Sequence, residues 1–332
     1  MRVVQIKRKP VYHREAYTLA VQKEVLDYFF DVIFLPIIQL CDEAGLGVET
    51  RENALGAAVL RALQSGKIWY TDENFSGQFS AAISRELRAM GATFDKSLKV
   101  FHLQQQFLPP EIRNACYASK ARAESLHKSI IRTLTEVEGN IPKAPVGLNL
   151  NSAVDKITAD LQKQFIATLS GITGIEVPAE VTPSTRKALT TDLTNNLELY
   201  IKKFALDEIP KLRAEVEENA FAGYRVDRLA QIIEARYGVT KRKAKFLAGQ
   251  ETRLLTSKLR EQRYRESGIR SYEWSTSHDE RVRPDHAVLN EETFSFDTPP
   301  ITDRATGARN NPGEDYNCRC VPIPIIGIEV LK

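Results

Sequence analysis

The sequence predicts an α+β protein, predominantly helical in its N-terminal and central regions and ending in a small C-terminal domain of short strands and loops. Three observations predict it. Apolar residues recur at three- and four-residue spacing through much of residues 16–265. Beyond Ile269 that pattern gives way to prolines, glycines and short β-prone runs. Between them, Glu138–Asn151 (EGNIPKAPVGLNLN) holds two prolines, two glycines and three asparagines, a composition that argues for a loop. The division that follows is a helical N-terminal domain over 1–140, a linker over 141–151, a central helical region over 152–268, and a C-terminal domain over 269–332.

Ala16–Ile38 is read as the first helix, with Leu19, Val25, Leu26, Phe29, Phe30 and Ile33 on its apolar stripe, and Pro36 is expected to kink or end it. A second helix is predicted over Glu52–Leu63, closing near Gly66, and a third over Ser76–Met90, closed by Gly91. Lys67–Thr71 (KIWYT) is short, aromatic and β-prone. Residues 110–138 read as a polar helix. After the linker, Ser152–Leu169 is amphipathic, Gly171–Pro183 is a breaker-rich connection, and Ser184–Phe204 is helical again. Val226–Glu266 carries the clearest helical signal. Leu229, Ile232, Ile233 and Tyr237 form one stripe; Gly238 suits a helix C-terminus and Thr240 the N-cap of a second helix through Ala244, Leu247, Leu254, Leu255 and Leu259. A helical hairpin is expected there. Strands are expected at Tyr272–Ser275, Thr293–Phe296 and Val321–Ile328.

At 332 residues, 42% hydrophobic and 27% charged, the chain has material for two or three cores. No run approaches the roughly 20 apolar residues that span a bilayer, so no membrane association is expected. The opening MRVVQIKRKPVYHRE lacks the apolar stretch of a secretory leader, which points to cytoplasmic synthesis. Four cysteines do not make a disulfide scaffold, and Cys41 and Cys116 read as small core residues. The net charge of +3 is unevenly spread: residues 1–220 carry 27 charges of each sign, 221–270 carry 13 basic against 5 acidic, and 271–332 carry 6 against 11. A basic helical stretch followed by an acidic module suggests two surfaces with different partners.

The basic hairpin superficially resembles a DNA-binding helix-turn-helix. Lys241, Arg242, Lys243 and Lys245 would crowd the first turn of its second helix, where the helix dipole disfavours cations, and Arg253 follows on the same helix. Phosphate from double-stranded DNA would relieve that repulsion. The competing reading is an ordinary solvated basic face, and no half-site pairing points to base-specific reading.

A second constellation is denser. It comprises Trp274, His278, Asp279, Arg281, Arg283, Asp285 and His286, then Pro312, Gly313, Glu314, Asp315, Asn317, Cys318, Arg319 and Cys320. Thiols and imidazoles are zinc ligands, and in an extended strand Cys318 and Cys320 point the same way, with His286 or His278 to supply nitrogen. A structural zinc is therefore the one candidate cofactor. The preferred alternative is packing: the thiols lie beside Trp274 as small apolar groups, while Arg281, Arg283 and Arg319 pair with Asp279, Asp285 and Asp315 to pin loops with little core of their own. A metal-dependent nuclease is the catalytic alternative. With no HExxH, P-loop, GxSxG or Rossmann glycine pattern, no enzymatic activity is expected.

These residues resemble a known family. FLAGQET (246–252), a basic helix, GIRSYEWSTSHDERVRPDHAVLN (268–290), a Phe-x-Phe strand at 294–296, a proline pair at 299–300 and NPGEDYNCRCVPIP (311–324) are similar, in that order, to the C-terminal domain of the phage Mu F-like head morphogenesis proteins. The family hallmarks fall on Trp274, on Asp279, Arg281, Arg283 and His286, on Pro312–Asp315, and on Cys318, Arg319 and Cys320. The likeness covers about residues 225–325, and more loosely FSGQFSAAISRELRAMGATFD (75–95). The chain departs from the family at Asn290-Glu291-Glu292, where a glycine is common, and at Gly249-Gln250-Glu251, where Arg-Thr-Glu is usual. The resemblance implies a minor capsid protein at the portal vertex, inside the virion head and made in the host cytoplasm. It would act in head assembly and in DNA packaging or ejection. Its partners would be the portal protein, the major capsid or scaffold protein, and packaged double-stranded DNA. Some relatives carry a fused toxin, which is not expected after Lys332.

Overall fold

The computed structural model describes residues 2–44, 57–172, 175–177, 179–224 and 226–330. In chain order these form β1 (Arg2–Lys7), α1 (Glu15–Phe29), α2 (Leu35–Glu43), α3 (Ala57–Gln64), β2 (Ile68–Thr71), β3 (Asn74–Gly77) and α4 (Ala81–Ala89). There follow β4 (Thr93–Asp95), β5 (Val100–His102), α5 (Pro110–Asn140), α6 (Asn151–Leu169), α7 (Pro183–Phe221) and α8 (Val226–Glu266). The chain then makes β6 (Ser271–Ser275), a single turn of helix α9 (Pro284–Ala287), β7 (Thr293–Ser295), β8 (Ile301–Asp303), β9 (Ala308–Arg309) and β10 (Val321–Val330). The α+β class predicted from the sequence is the one observed.

Several elements differ from the sequence reading for identifiable reasons. Pro36 neither ends nor replaces helix: a widened π turn over Phe30–Phe34, in which the Leu35 N–H donates to the Phe30 carbonyl, precedes it, and α2 runs through it. A proline ring collides with the carbonyl four residues back, and a wider turn is a known accommodation. The predicted helix over 52–63 begins at Ala57 among the described residues; 52–56 lie outside them. The helix predicted from Ser76 begins only at Ala81, because Asn74–Gly77 is a strand and Ser80 is the N-cap, accepting the Ile83 N–H at 3.3 Å. Gly77 is held there at φ +118, where a Cβ would lie 2.3 Å from the Lys67 carbonyl oxygen. Ser184–Phe204 is part of the longer α7, capped by Thr182, whose hydroxyl accepts the Thr185 N–H at 3.2 Å.

The helical hairpin is the largest correction. Val226–Glu266 is one continuous helix. Gly238 keeps helical backbone, and glycine inside a helix costs only about 1 kcal/mol against alanine. Thr240 is buried and caps nothing, donating instead to the Arg236 carbonyl one turn back at 2.9 Å. Buried Ala244, Leu247 and Ala248 carry the packed face onward. Lys241, Arg242, Lys243 and Lys245 therefore lie within the helix, away from any helix N-terminus, and the dipole argument for an anion at that point falls away.

The chain divides into two compact units, each discontinuous in sequence, unlike the consecutive domains read from composition. One unit comprises residues 27–146 and 202–241. Its four-stranded antiparallel sheet has the order β2-β3-β5-β4. Ile68, Tyr70, Phe75, Leu87, Phe101, Ile112 and Cys116 pack in one core cluster. His127, fully buried on α5, donates from Nδ1 to the Ala123 carbonyl at 2.8 Å and accepts from the Asn219 amide of α7 at 2.7 Å, and burial lowers its pKa. Arg236 is held between Glu208 at 2.6 Å and Glu215 at 2.5 Å.

The other unit comprises residues 1–26, 147–201 and 242–332. Its sheet has the order β1-β10-β6-β7, with β1 pairing antiparallel to β10 from Arg2↔Val330 to Lys7↔Ile325. β10 pairs β6 only over Val321–Ile325, so Pro322 and Pro324 fall where β1 is absent and their missing N–H groups break no ladder on that side. The segment read as a linker is ordered: Ile141 and Val146 in the first unit, and Leu150 in the second, are buried.

Continuity of α8 is testable at Gly238. Gly238→Ala should stabilise the protein by roughly 0.5–1 kcal/mol in urea unfolding, as a mid-helix position requires. A glycine at a left-handed helix terminus would instead lose stability on gaining a Cβ.

Candidate functional site

Trp274 lies fully buried on β6, and the chain then crosses a loop to α9, where Pro284 occupies the first helical position and His286 faces inward at 2% exposure. From the other side, a turn at residues 311–317 leads into β10. The Cys318 N–H donates to the Asp315 carbonyl at 3.0 Å, and the Cys320 N–H points at the Cys318 sulfur at 3.4 Å. These two segments bring His286, Cys318 and Cys320 together. His286 Nδ1 is 3.5 Å from the Cys318 Sγ and 3.6 Å from the Cys320 Sγ, and the three donor atoms all lie within 4.8 Å of one another. All three residues are buried, and the imidazole meets the Trp274 ring edge-on at 5.5 Å between centroids.

The second imidazole nitrogen is oriented as well. His286 Nε2 lies 3.4 Å from the Asp315 Oδ2, an electrostatic contact misaligned for a good hydrogen bond, while the other Asp315 oxygen accepts from the Asn310 amide at 2.8 Å. Asp315 first, and Cys318 after it, raise the His286 pKa to about 9. The Cys320 thiol, donating to Cys318, is the largest influence lowering the Cys318 pKa to about 5, and Cys320 is pushed up in turn. For Asp315 burial opposes ionisation, but His286 and its other hydrogen-bond partners bring it below the usual carboxylate range. The directions of these shifts favour positive charge on the imidazole and negative charge on Cys318.

A polar stripe on α8 supports the 311–317 turn. Gln250, Arg253, Ser257 and Arg260 recur at three- and four-residue spacing, the Cβ geometry that places side chains on one helix face. Gln250 accepts the Asn317 N–H, Arg253 donates to the Asn317 side chain at 3.2 Å, and Ser257 donates to the Pro312 carbonyl at 2.7 Å. Gly313 has φ +92, and a Cβ there would meet the Ser257 Oγ at 3.0 Å and Arg260 at 3.3 Å, so this turn needs glycine for both its backbone and its clearance. The sequence reading missed Gln250, Ser257 and Arg260, whose shared spacing is the signal that could have marked them. A cavity of about 250 Å³ opens beside Cys318 and Cys320, lined also by His13, Arg253, Thr256, Arg260 and Arg319.

The remaining predicted residues distribute differently from the expected pairings. Arg319 and Asp279 do pair, in a two-point contact of 2.5 and 2.6 Å. Arg281 is 4.0 Å from Asp279 and largely exposed, Arg283 donates to the Tyr316 carbonyl rather than to an acid, and Asp285 pairs with Arg304 at 3.5 Å. His278 takes a positive φ of 52 and stays out of the His/Cys group, its Nδ1 3.5 Å from the Thr276 hydroxyl. Of the basic residues on α8, Lys241 and Arg242 are exposed, Lys243 lies over the Phe246 ring at 5.2 Å and Lys245 pairs with Glu15 at 3.2 Å.

The Arg319 guanidinium holds the Asp279 pKa at about 2. A depressed carboxyl contributes stability that is present above its unfolded value of about 3.9 and is lost as pH falls through about 2. Arg319→Ala should therefore bring the Asp279 carboxyl back toward its ordinary range in a carbon-detected NMR titration; an unchanged midpoint would assign the shift to something other than Arg319.

Comparison with known proteins adds an independent observation. Residues 210–323 match the family model described as Phage Mu protein F like protein. A Haemophilus influenzae protein described as uncharacterized is 28% identical over 201 residues, covering 60% of this chain and 43% of that protein, so the match spans less than half of the relative. No solved structure matches the chain.

Proposed function

We propose that this chain, whose residues 210–323 match the Phage Mu protein F like family model, is a phage head morphogenesis protein, a minor head component that works at the portal vertex during capsid assembly. The observation that carries the reading is the position of the family match: it spans α8 from Val226 onward and runs on through Ile323, so it takes in both the polar stripe and the His286, Cys318 and Cys320 group. The matched segment thus carries both the helix that supports the site and the site itself. Its excess of acidic residues over 271–332, 11 against 6, suits contact with another protein better than with nucleic acid.

In this reading the protein resides in the virion head, the portal protein is its first partner and the major capsid or scaffold protein a further one, and its role is structural rather than catalytic. Contact with packaged double-stranded DNA is a secondary reading, supported by the exposed Lys241 and Arg242 and by the net positive charge of residues 221–270. Such contact should weaken steeply with salt, and an absence of duplex retention at low salt would eliminate it.

The leading proposal is tested by removing the gene from its phage. Heads should then assemble aberrantly or carry reduced DNA, infectivity should drop, and the protein should co-purify with portal from wild-type particles. Normal heads with normal DNA content and full infectivity would overturn the assignment.

A further inference from the structure

We propose that His286, Cys318 and Cys320 bind a zinc ion, with the imidazole coordinating through Nδ1 and the fourth coordination position facing the adjoining cavity. Zinc–sulfur bonds are about 2.3 Å and zinc–nitrogen bonds about 2.0–2.1 Å, so a tetrahedral site sets its sulfur and nitrogen ligands roughly 3.5–3.6 Å apart. Nδ1 lies 3.5 and 3.6 Å from the two sulfurs. A single S–H···N contact would also sit at this distance, but here both sulfurs hold it from the same ring nitrogen, as two ligands of one metal would.

The surroundings point the same way. A zinc-bound histidine commonly offers its other ring nitrogen to a carboxylate, which fixes the tautomer and the ring plane. His286 Nε2 faces Asp315, itself anchored by Asn310, and both His286 Nε2 and Asp315 Oδ2 are buried without a well-formed hydrogen bond in this arrangement. Two thiolates balance a divalent cation, and the zinc bonds would satisfy three buried donor atoms at once. Among the described residues no fourth His, Cys, Asp or Glu joins the group. The cavity lined by Cys318, Cys320, Arg253 and Thr256 leaves room for a water as the fourth ligand.

The consequence is mechanical. The metal ties the α9 turn to the start of β10, two segments 32 residues apart in sequence whose loops bury few apolar side chains. This inference stands apart from portal binding, because it concerns a site internal to the chain.

The test uses the full chain expressed with zinc and dialysed against metal-free buffer. Elemental analysis should find about one zinc per chain, retained in His278→Ala and lost in Cys318→Ser/Cys320→Ser and His286→Ala. Because those variants could fail to fold, the wild-type chain is also exchanged into cobalt(II). A thiolate-to-cobalt charge-transfer band in the near ultraviolet, with intense visible bands of tetrahedral geometry, is the expected result. A zinc content that stays near zero after dialysis, a content unchanged by the double cysteine variant, or an octahedral cobalt spectrum without thiolate charge transfer would overturn the proposal.

Discussion

A buried guanidinium organises the unit that carries the candidate site. Arg260, on α8, donates to the Val11 carbonyl at 2.7 Å and to the Pro312 carbonyl at 3.4 Å while only 3% of its surface is exposed. Val11 belongs to the segment that follows β1, and Pro312 to the turn that delivers Cys318 and Cys320, so one side chain fastens both to the helix. A charge in such surroundings is costly unless it is hydrogen-bonded, and backbone carbonyls fixed by their own elements satisfy its two terminal nitrogens, while its Nε is buried without a partner. Removing either acceptor would leave a buried cation under-bonded. Tyr264, one turn further along α8, reinforces the arrangement by accepting the Val11 N–H through its hydroxyl at 3.2 Å.

That attachment explains how a loop-rich segment holds a precise constellation. The 311–317 turn has little apolar surface, yet its conformation is specified at each step. The Asn311 side chain lies between the Tyr272 hydroxyl, which donates to it at 2.9 Å, and Glu261, which accepts from it at 3.0 Å; the Asn311 N–H donates to Glu314 at 2.7 Å. Gly313 lets the turn approach α8 closely, and Ser257 and Gln250 take up its backbone groups. With the turn fixed from beneath and α9 fixed by Pro284 and by Trp274 against the imidazole, the separation of Nδ1 from the two sulfurs follows from backbone geometry rather than from the preferences of the side chains.

How much of this was legible in the sequence depends on the range of the interactions involved. Long periodic segments such as 110–138 and 152–169 declared themselves, since their apolar spacing is local and is enforced by helix geometry. The short strands at Ile68–Thr71 and Ser271–Ser275 were visible through their aromatic and β-prone composition. Ser76 and Gly77 were misread as the start of a helix because they pair across the sheet with Trp69 and Ile68, and β1 was not foreseen because its partner begins more than three hundred residues away. At Gly238 and Thr240 local signals for a helix end were overridden by burial of Thr240 and Ala244 along a continuous face.

By itself, then, the sequence determined the α+β class, the presence of Trp274, His286, Cys318 and Cys320 as an unusual donor set, the family resemblance, and the uneven charge of the two C-terminal segments. These depend on residue type, order and short spacing alone. Only the tertiary structure decided which histidine joins the thiols, because His286 and His278 differ in the backbone that carries them: one turn of helix aims His286 inward, and a left-handed φ leaves His278 beside Thr276. It also decided that Gln250, Ser257 and Arg260 are buried supports rather than a solvated face, since polar residues at helical spacing look the same on paper until a second segment covers them.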